Sequence, residues 1–274
     1  MPVLQGDDVD LYYEIRGCGP RLLFFNGSGA TIDGSAVLLD VLAAHFEVVV
    51  HDQRGLGRTG LPRDTTPHGL APYAADGHRL LEHLGGDPCA VMGISFGGMV
   101  AQEFAVTYPT SLSRLALLCT SPGGAGGSSY PLHDLESLSP DERAQVSLAT
   151  LDTRFTPEYL ASHPKDQQLV AFNTQRAARH KSADVLAGER FQLLSRRDHD
   201  VWDRLGNITV PTLVAAGRYD GLAPLANSEA IASRVPSSRL RIYEGGHLFF
   251  AQDPRSLPEI IDFLAVSSID TRPT

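Results

Sequence analysis

Short apolar runs alternate with segments of helical periodicity along the first half of the chain. Residues 22–25 and 47–50 consist largely of leucine, phenylalanine and valine, as expected of strands that are buried on both faces. Between these two runs, residues 37–44 place apolar side chains at helical spacing. An earlier segment, residues 9–15, alternates polar and apolar positions, which predicts an antiparallel strand.

The alternation of strand and helix continues as far as residue 119. It predicts helices over residues 72–84 and 96–108 and strands over residues 90–94 and 115–119. Strands that alternate with helices are typical of a parallel sheet, because the chain must cross a face of the sheet between successive strands. The sequence therefore predicts the α/β class, with a mostly parallel central sheet and helices on both faces.

The strand pattern stops at residues 121–129, a glycine- and serine-rich stretch that we expect to be a mobile linker. Residues 130–205 have helical patterns and no strand pattern. Within them, Ser139-Pro140-Asp141-Glu142 has an N-cap serine, a proline at the first helical position and a glutamate at the capping-box position. This region is therefore predicted to be a helical insertion.

Strand patterns return at residues 211–217 and 240–243, after the predicted insertion. The sheet must therefore be completed by the C-terminal part of the chain. We predict an α/β core domain formed by residues 1–122 and 206–274, interrupted by a helical cap at residues 123–205.

One serine lies between a predicted strand and the helix that follows it. The segment Gly93-Ile94-Ser95-Phe96-Gly97 has the G-x-S-x-G pattern, in which glycines allow a sharp turn that exposes the serine hydroxyl. The pattern also arises by chance in glycine-rich chains, so its place between an apolar run and a helical segment gives it its weight. We predict that Ser95 is a nucleophile and that Gly93 and Gly97 support its turn.

A serine hydroxyl needs a histidine to accept its proton and a carboxylate to orient that histidine. After a serine in this kind of turn, the acid and then the histidine are expected in loops that follow later strands. Asp220 comes directly after residues 211–217, and His247 follows residues 240–243 closely. Taken alone, Asp220 is more often a turn residue and His247 a partly buried loop histidine. Their shared placement predicts a triad with Ser95.

Acyl transfer also needs backbone N–H groups that bind the oxyanion of the tetrahedral intermediate. Phe96, the residue after the serine, is predicted to supply one of them. The loop Asn26-Gly27-Ser28-Gly29-Ala30 follows the first apolar run, and its glycines allow the backbone to approach a substrate closely. We predict the second donor to be the N–H of Ser28, with Asn26 and Gly27 supporting the loop. The alternative is that this segment is only a tight turn.

With these motifs the chain resembles the serine hydrolases of the α/β-hydrolase fold family, including 3-oxoadipate enol-lactonase-like and carboxylesterase-like members. The G-x-S-x-G turn, the Asp220 loop, the Gly245-Gly246-His247 loop and the run Asp52-Gln53-Arg54-Gly55-Leu56-Gly57 carry the resemblance. It implies a triad of Ser95, His247 and Asp220 beneath a helical cap. Asp52 and Arg54 have no chemical role in it, and we expect them to form an ion pair that braces the turn.

One position departs from the family pattern. The family usually has His-Gly at the start of the oxyanion loop, where this chain has Asn26-Gly27. An amide can donate and accept hydrogen bonds as a neutral imidazole does, so we expect Asn26 to make the hydrogen bonds of the loop. The serine at position 95 also excludes relatives that use an aspartate nucleophile there, such as haloalkane dehalogenases and epoxide hydrolases.

Composition excludes several classes of partner. The formal net charge is -9 and the chain has no basic run, so nucleic acid is not an expected partner. The three cysteines form no C-x-x-C pair, so we predict neither a disulfide framework nor a metal site. The start of the chain lacks the features of a signal peptide and no apolar run is long enough for a membrane helix, so we expect a cytoplasmic protein without a membrane partner.

These observations predict a serine hydrolase without a cofactor, which cleaves a carboxylic ester or lactone of a small molecule through an acyl-enzyme. Alternatives keep the fold but change the chemistry: hydrolysis of a carbon–carbon bond, a cofactor-free lyase or oxygenase step, or ligand binding without turnover. Residues 176–197 contain six basic and two acidic side chains. Such a segment is usually a solvated helix face, and the other interpretation is a substrate that carries a carboxylate.

Overall fold

Eight strands form one sheet in the computed structural model, which describes residues 2–177 and 180–266. In chain order the strands are β1 (Val3–Leu4), β2 (Leu11–Arg16), β3 (Arg21–Phe25), β4 (Glu47–His51), β5 (Cys89–Ile94), β6 (Leu112–Leu118), β7 (Thr212–Gly217) and β8 (Ser238–Tyr243). They lie in the order β1-β2-β4-β3-β5-β6-β7-β8. Strand β2 is antiparallel to β1 and β4, and β3 to β8 are parallel. The predicted mostly parallel sheet is confirmed.

Helices cover both faces of this sheet, as predicted. Those of the sheet region are α1 (Ala36–Ala43), α2 (Ala71–His83), α3 (Phe96–Thr107), α8 (Leu225–Arg234), α9 (Phe249–Gln252) and α10 (Ser256–Ala265). One apolar cluster joins the sheet to α2, α3 and α8, and a second joins the opposite face to α1, α9 and α10. Because both faces are covered, the parallel strands carry continuous apolar runs.

Side-chain alternation divides each strand between the two clusters. Leu23 and Val91 face the layer of α2 and α3, whereas their neighbours Leu22 and Ala90 face the layer of α1 and α10. In the parallel register, Leu22 lies opposite Ala90 and Leu23 opposite Val91, so like faces align across β3 and β5. Because β3 to β8 all run in the same direction, their carboxyl ends lie at one edge of the sheet.

The chain between β6 and β7, here called the β6–β7 segment, contains four α-helices, three short 3-10 helices (Gly124–Gly126, Leu132–Ser137 and Trp202–Asn207) and no strand within its described residues. The α-helices are α4 (Pro140–Leu151), α5 (Pro157–Ser162), α6 (Pro164–Ala177) and α7 (Ala183–Ser195). The capping box predicted at the start of α4 is present, since the Ser139 hydroxyl accepts from Glu142 N and the Ser139 N–H donates to the Glu142 carboxylate. The domain boundaries at residues 123 and 205 stay a prediction.

The glycine- and serine-rich stretch at residues 121–129 is packed against its surroundings, and the prediction of a mobile linker is wrong. Ser121 is fully buried, and the side-chain amide of Asn227 donates to Ser121 Oγ (2.8 Å) and to the carbonyl of Ser128 (3.1 Å). Gly126 lies so close to the Trp202 ring that a β-carbon would collide with it. Small residues are needed here because the space is filled, a property that composition does not reveal.

Element boundaries differ from the predicted ones by up to three residues, the largest shift being the earlier start of β6 at Leu112. Such shifts are expected where the hydrogen bonds of a strand continue beyond the apolar run from which the strand was predicted. Among the described residues, none of the helices has both the length and the apolar character needed to cross a bilayer.

Candidate active site

Ser95 occupies the sharp turn between β5 and α3. Its backbone has φ 55° and ψ -114°, a conformation that costs a non-glycine residue about 1–3 kcal/mol and is typical of functional turns. The N–H of Ser95 donates to the Leu118 carbonyl (2.8 Å), and the Ser95 carbonyl accepts from Gly98 N (2.9 Å) and Thr120 Oγ1 (2.8 Å). These hydrogen bonds hold the strained turn in place at the carboxyl edge of the sheet.

The two glycines of the motif are required by close backbone contacts. A β-carbon at Gly93 would collide with the carbonyl group of Gly97. A β-carbon at Gly97 would collide with the carbonyl group of Phe25, at the end of β3. The turn can therefore pack against the neighbouring strand only with hydrogen atoms at these positions, which is the support predicted for Gly93 and Gly97.

The structure brings Ser95, His247 and Asp220 together, although they are distant in the chain. His247 Nε2 lies 3.0 Å from Ser95 Oγ, and His247 Nδ1 lies 2.9 Å from Asp220 Oδ2. The other oxygen, Asp220 Oδ1, accepts from the N–H groups of Leu222 and Ala223, each at 2.8 Å. All three side chains are buried, with residue exposures of 8% for Ser95, 6% for His247 and 5% for Asp220. The result is one hydrogen-bonded chain from carboxylate to hydroxyl.

Asp220 and His247 each lie in a loop that follows a strand, as predicted. Asp220 follows β7 and His247 follows β8, while Ser95 follows β5. The His247 loop is also fastened from the β6–β7 segment, because the N–H of His247 donates to the carbonyl of Leu151 at 2.6 Å. A β-carbon at Gly246 would collide with that same carbonyl, so the approach of Leu151 requires glycine there.

The predicted oxyanion loop lies beside the serine. A β-carbon placed on Gly27 would be 3.9 Å from Ser95 Cβ, so the loop backbone runs directly past the Ser95 side chain. Phe96 is the first residue of α3, and an N–H in the first turn of a helix has no acceptor within that helix. Ser28 is half-buried, and within the described part of the chain its Oγ is buried without a hydrogen-bond partner. The donor roles of Ser28 and Phe96 stay predictions.

Asn26 makes only part of the hydrogen bonds expected of it. Its Oδ1 accepts from Ser35 Oγ (2.8 Å), and its backbone carbonyl accepts from Gln53 Nε2 (2.8 Å). Its Nδ2 is buried and, among the described residues, donates to no partner. The amide therefore serves as an acceptor toward α1, and the loop backbone is held from the neighbouring Gln53.

A sequence profile of proteins with the alpha/beta hydrolase fold matches residues 20–254 of the chain. The chain belongs to the alpha/beta hydrolase fold family. The match spans the serine turn, the Asp220 loop and the His247 loop, so the geometry described above lies entirely inside the matched region.

Known relatives are similar over nearly the whole chain. A poly(3-hydroxyalkanoate) depolymerase from Ectopseudomonas oleovorans is 32% identical over 242 residues, 88% of this chain and 82% of the relative. A RutD protein from Azorhizobium caulinodans, whose name proposes a carbamate hydrolase, is 28% identical over 95% of this chain and 97% of its own. A solved hydrolase structure from Pseudomonas aeruginosa PA01 has a TM-score of 0.77 at 27% identity, over 97% of this chain and 98% of that one.

The resemblance to enol-lactonases is also confirmed at the level of sequence similarity. A 3-oxoadipate enol-lactonase from Acinetobacter baylyi is 22% identical over 262 residues, which are 94% of each chain. The names of these relatives agree on hydrolysis and differ in the bond that is cleaved. They therefore support hydrolase activity for this alpha/beta hydrolase and leave its substrate to the chemistry of its own site.

One contact of this alpha/beta hydrolase was not predicted: a helix of the β6–β7 segment holds the oxyanion loop. Gln192 of α7 is fully buried, and its Oε1 accepts from the N–H of Gly29 at 2.7 Å. Its Nε2 donates to Gln53 Oε1 at 3.0 Å, and Gln53 in turn donates to the Asn26 carbonyl. Both amides are thus fully engaged between α7 and the loop. A glutamine on a helix gives no signal of this in the sequence.

The predicted ion pair between Asp52 and Arg54 is wrong, because each side chain has other partners. Asp52 accepts from the backbone N–H groups of Ile32 (2.7 Å) and Arg58 (2.9 Å). Arg54 forms a bidentate pair with Asp76, at 2.6 and 2.9 Å, and also contacts Asp8. The prediction that both residues are structural agrees with these contacts. Two carboxylates around one arginine offset the cost of burying its charge.

Cys119 lies beside the hydrogen-bonded side chains of Asp220 and His247. Its Sγ, a carboxylate oxygen of Asp220 and a ring nitrogen of His247 lie within 4.8 Å of one another, close enough in principle to bind a metal ion. Both ring nitrogens of His247 already face Asp220 and Ser95. Burial, with a smaller contribution from the Asp220 carboxylate, raises the pKa of the Cys119 thiol well above its usual value. The thiol is therefore neutral at pH 7, a form that is a much weaker nucleophile than a thiolate.

The basic stretch at residues 176–197 is mixed in character. Lys181 pairs with Glu189 at 2.7 Å, and the exposed Arg197 pairs with Asp198 at 3.2 Å. Arg179 lies outside the described residues. Arg196, in contrast, is buried, which a solvated helix face does not explain.

Proposed function

We propose that this chain is a serine hydrolase that cleaves a carboxylic ester or lactone of a small organic molecule. The observation that carries the proposal is the hydrogen-bonded chain from Asp220 through His247 to Ser95, with links of 2.9 and 3.0 Å. This chemistry also requires a sharp turn that exposes the serine hydroxyl. Ser95 lies in such a turn, between Gly93 and Gly97. The proposal needs neither a metal ion nor an organic cofactor.

In the proposed reaction, Ser95 Oγ attacks the carbonyl carbon of the ester while His247 Nε2 takes the hydroxyl proton. Asp220 keeps a proton on Nδ1 and stabilises the imidazolium that forms. The oxygen of the tetrahedral intermediate accepts hydrogen bonds from the N–H groups of Phe96 and Ser28. When the intermediate collapses, the bond to the alkoxide breaks and His247 returns the proton to that oxygen, which leaves as an alcohol.

The second half repeats these steps with water. His247 takes a proton from a water molecule, whose oxygen attacks the acyl carbon attached to Ser95. The bond to Ser95 Oγ then breaks, the serine regains its proton from His247, and a carboxylic acid is released. With a lactone, the alkoxide and the acid belong to the same product, which is a hydroxy acid.

The relatives support this choice of bond. A poly(3-hydroxyalkanoate) is a chain of carboxylic esters and an enol-lactone is a cyclic ester, so two relatives are named for substrates with the bond proposed here. We further propose that residues 123–205 form a cap over the site. The contacts of Leu151 with the His247 loop and of Gln192 with Gly29 support that role.

Replacement of the nucleophile tests the proposal. We expect Ser95→Ala to lower kcat for a chromogenic short-chain ester by about 10⁶-fold, as loss of a catalytic serine does elsewhere. A fluorophosphonate probe should label the wild type and not Ser95→Ala. The matched control is Ser233→Ala, an exposed serine of α8, which should leave labelling and turnover unchanged. Circular dichroism would check that the folds are the same.

The alternatives predict different results in the same assay. Labelling of Ser95 without turnover of any ester or lactone would favour a carbon–carbon hydrolase or a cofactor-free lyase or oxygenase. A wild type that the probe does not label would favour ligand binding without turnover. Either result would overturn the proposed ester or lactone hydrolysis.

A further inference from the structure

Arg196, at the C-terminal end of α7, is a buried cation without an acidic partner. It is 6% exposed. One guanidinium nitrogen, Nη2, donates to Ser129 Oγ (2.9 Å) and to the carbonyl of Tyr130 (2.7 Å). The other, Nη1, is buried and contacts no acceptor within the described residues. No carboxylate among those residues forms an ion pair with it or affects its pKa.

A buried charge without a partner is costly, so a structural arginine is normally paired. Burial lowers the pKa of Arg196 to about 10, and no carboxylate opposes that effect. Arg196 therefore stays charged at pH 7. Arg54 is a structural arginine of the same chain for comparison, and its charge is paired with the carboxylates of Asp76 and Asp8. Arg196 has two neutral acceptors in the place of two carboxylates, which leaves its charge uncompensated.

Short runs of contacts connect Arg196 to two loops beside the proposed site. Gln192 lies four residues earlier, on the same face of α7, and its side chain binds Gly29 of the oxyanion loop. On the other side, Tyr130, whose carbonyl binds Arg196, donates its N–H to the carbonyl of Leu222 at 2.8 Å. Leu222 is two residues beyond Asp220 and donates to its carboxylate. Arg196 is thus connected to the predicted oxyanion loop through α7 and Gln192, and to the loop of the proposed catalytic acid through Tyr130 and Leu222.

We propose that Arg196 binds a carboxylate of the substrate, so that the ester or lactone is one that carries a free acid group. This inference rests on the proposed function. A carboxylate accepts charge-assisted hydrogen bonds from a guanidinium and supplies the charge that the protein does not. The same pairing would orient the substrate, because the carbonyl to be attacked must reach Ser95 while the acid group reaches α7.

Two esters that differ only in the acid group test this inference. Mono-4-nitrophenyl glutarate and 4-nitrophenyl pentanoate have the same chain length, and one ends in a carboxylate where the other ends in a methyl group. We define the selectivity as the ratio of kcat/KM for the glutarate to that for the pentanoate. A charge-assisted hydrogen bond corresponds to about a tenfold to hundredfold selectivity. Arg196→Met keeps the apolar stem of the side chain and should remove that factor, so that kcat/KM becomes similar for the two esters.

Arg197→Met is the matched control, because Arg197 is the adjacent arginine and is exposed and paired with Asp198. It should leave the selectivity unchanged. If Arg196→Met hydrolyses the pentanoate and keeps the wild-type selectivity, the inference is overturned and the proposed function stands. If the wild type hydrolyses no ester and is not labelled by fluorophosphonate, the proposed function is overturned instead.

Binding of free glutarate separates the two failures without turnover. We expect glutarate to raise the Tm of the wild type and of Arg197→Met in a concentration-dependent way, and not to raise that of Arg196→Met. If Arg196→Met does not fold, Arg196→Gln, which keeps hydrogen-bond donors and loses the charge, takes its place. Equal Tm shifts in all variants, or none in the wild type, would overturn the inference.

Discussion

The floor and the roof of the proposed site are built differently. The floor consists of Ser95, Asp220 and His247, each of which follows a different parallel strand, and His247 is hydrogen-bonded to both of the others. The roof is the β6–β7 segment, in which the carbonyl of Leu151 accepts from the N–H of His247 and the side chain of Gln192 accepts from the N–H of Gly29 in the predicted oxyanion loop. In the proposed reaction, the groups that exchange protons all belong to the floor.

This difference separates chemistry from positioning. If the proposed reaction holds, a change in the floor alters which atom can give or take a proton, and such changes cost several orders of magnitude in rate. A change in the roof would leave the proposed proton carriers in place and shift the loop that is predicted to bind the oxyanion, which costs less. The three predictions below test this order, beginning with the floor.

The largest effect is expected from Asp220→Asn. The N–H groups of Leu222 and Ala223 both point at Oδ1, so the asparagine must keep its oxygen there and turn its amide nitrogen toward His247. His247 Nδ1 then accepts a hydrogen bond, and the proton moves to Nε2, where it blocks proton transfer from Ser95. We expect kcat to fall by about 10⁴-fold with little change in KM. Steady-state kinetics with a neutral ester would measure both.

Glu244→Gln provides the control for that change. Glu244 is three residues before His247 and pairs with Arg218 on the surface, at 2.9 Å. It undergoes the same carboxylate-to-amide change and should alter kcat by less than about twofold. A loss below tenfold in Asp220→Asn would mean that another group orients His247, and the proposed floor would be incomplete.

The floor could be predicted from the sequence because buried strands are recognisable as apolar runs. Ser95, Asp220 and His247 each follow an apolar run, and the carboxyl ends of parallel strands meet at one edge. The contacts of the roof could not be predicted, because they are made by isolated polar groups on helices. Gln192 is 163 residues from Gly29 in the chain, and nothing in its neighbourhood distinguishes it from a solvated glutamine.

The burial of Arg196 could not be predicted from the sequence either. Its basic neighbours in the chain favoured a solvated helix face, whereas the structure buries its side chain. The packed stretch at residues 121–129 failed for a related reason. Its glycines fit against Trp202 and its polar groups bind Asn227, and both partners are remote in sequence. Local composition reports flexibility only when no distant element fills the space around it.

An intermediate effect is expected from Gln192→Met in the roof. Methionine has nearly the same shape but removes both hydrogen bonds, which leaves the N–H of Gly29 and the side-chain oxygen of Gln53 without partners. The oxyanion loop is then free to move, and a displacement of about 1 Å can cost about a hundredfold in rate. We expect kcat to fall about tenfold to a hundredfold, with KM for a neutral ester changed by less than about threefold.

Two further variants identify the cause of that loss. Gln192→Glu keeps an acceptor for the N–H of Gly29 and should recover part of kcat. Gln167→Met, on the exposed face of α6, makes the same exchange away from the site and should have no effect. An unchanged kcat in Gln192→Met would show that the loop keeps its position without the contact from α7, and the distinction between floor and roof would fail.

The smallest effect is expected from Ser28→Ala, which tests what the roof holds in position. If the backbone N–H of Ser28 is the oxyanion donor, its side chain is not needed, and kcat should stay within about threefold of wild type. The free energy of unfolding should also change little, because the Ser28 hydroxyl has no partner to lose within the described structure. A loss of two or more orders of magnitude in kcat would instead make the hydroxyl a third donor. Its unpaired, buried state would then be explained by the substrate, and the oxyanion site would depend on a side chain as well as on the backbone.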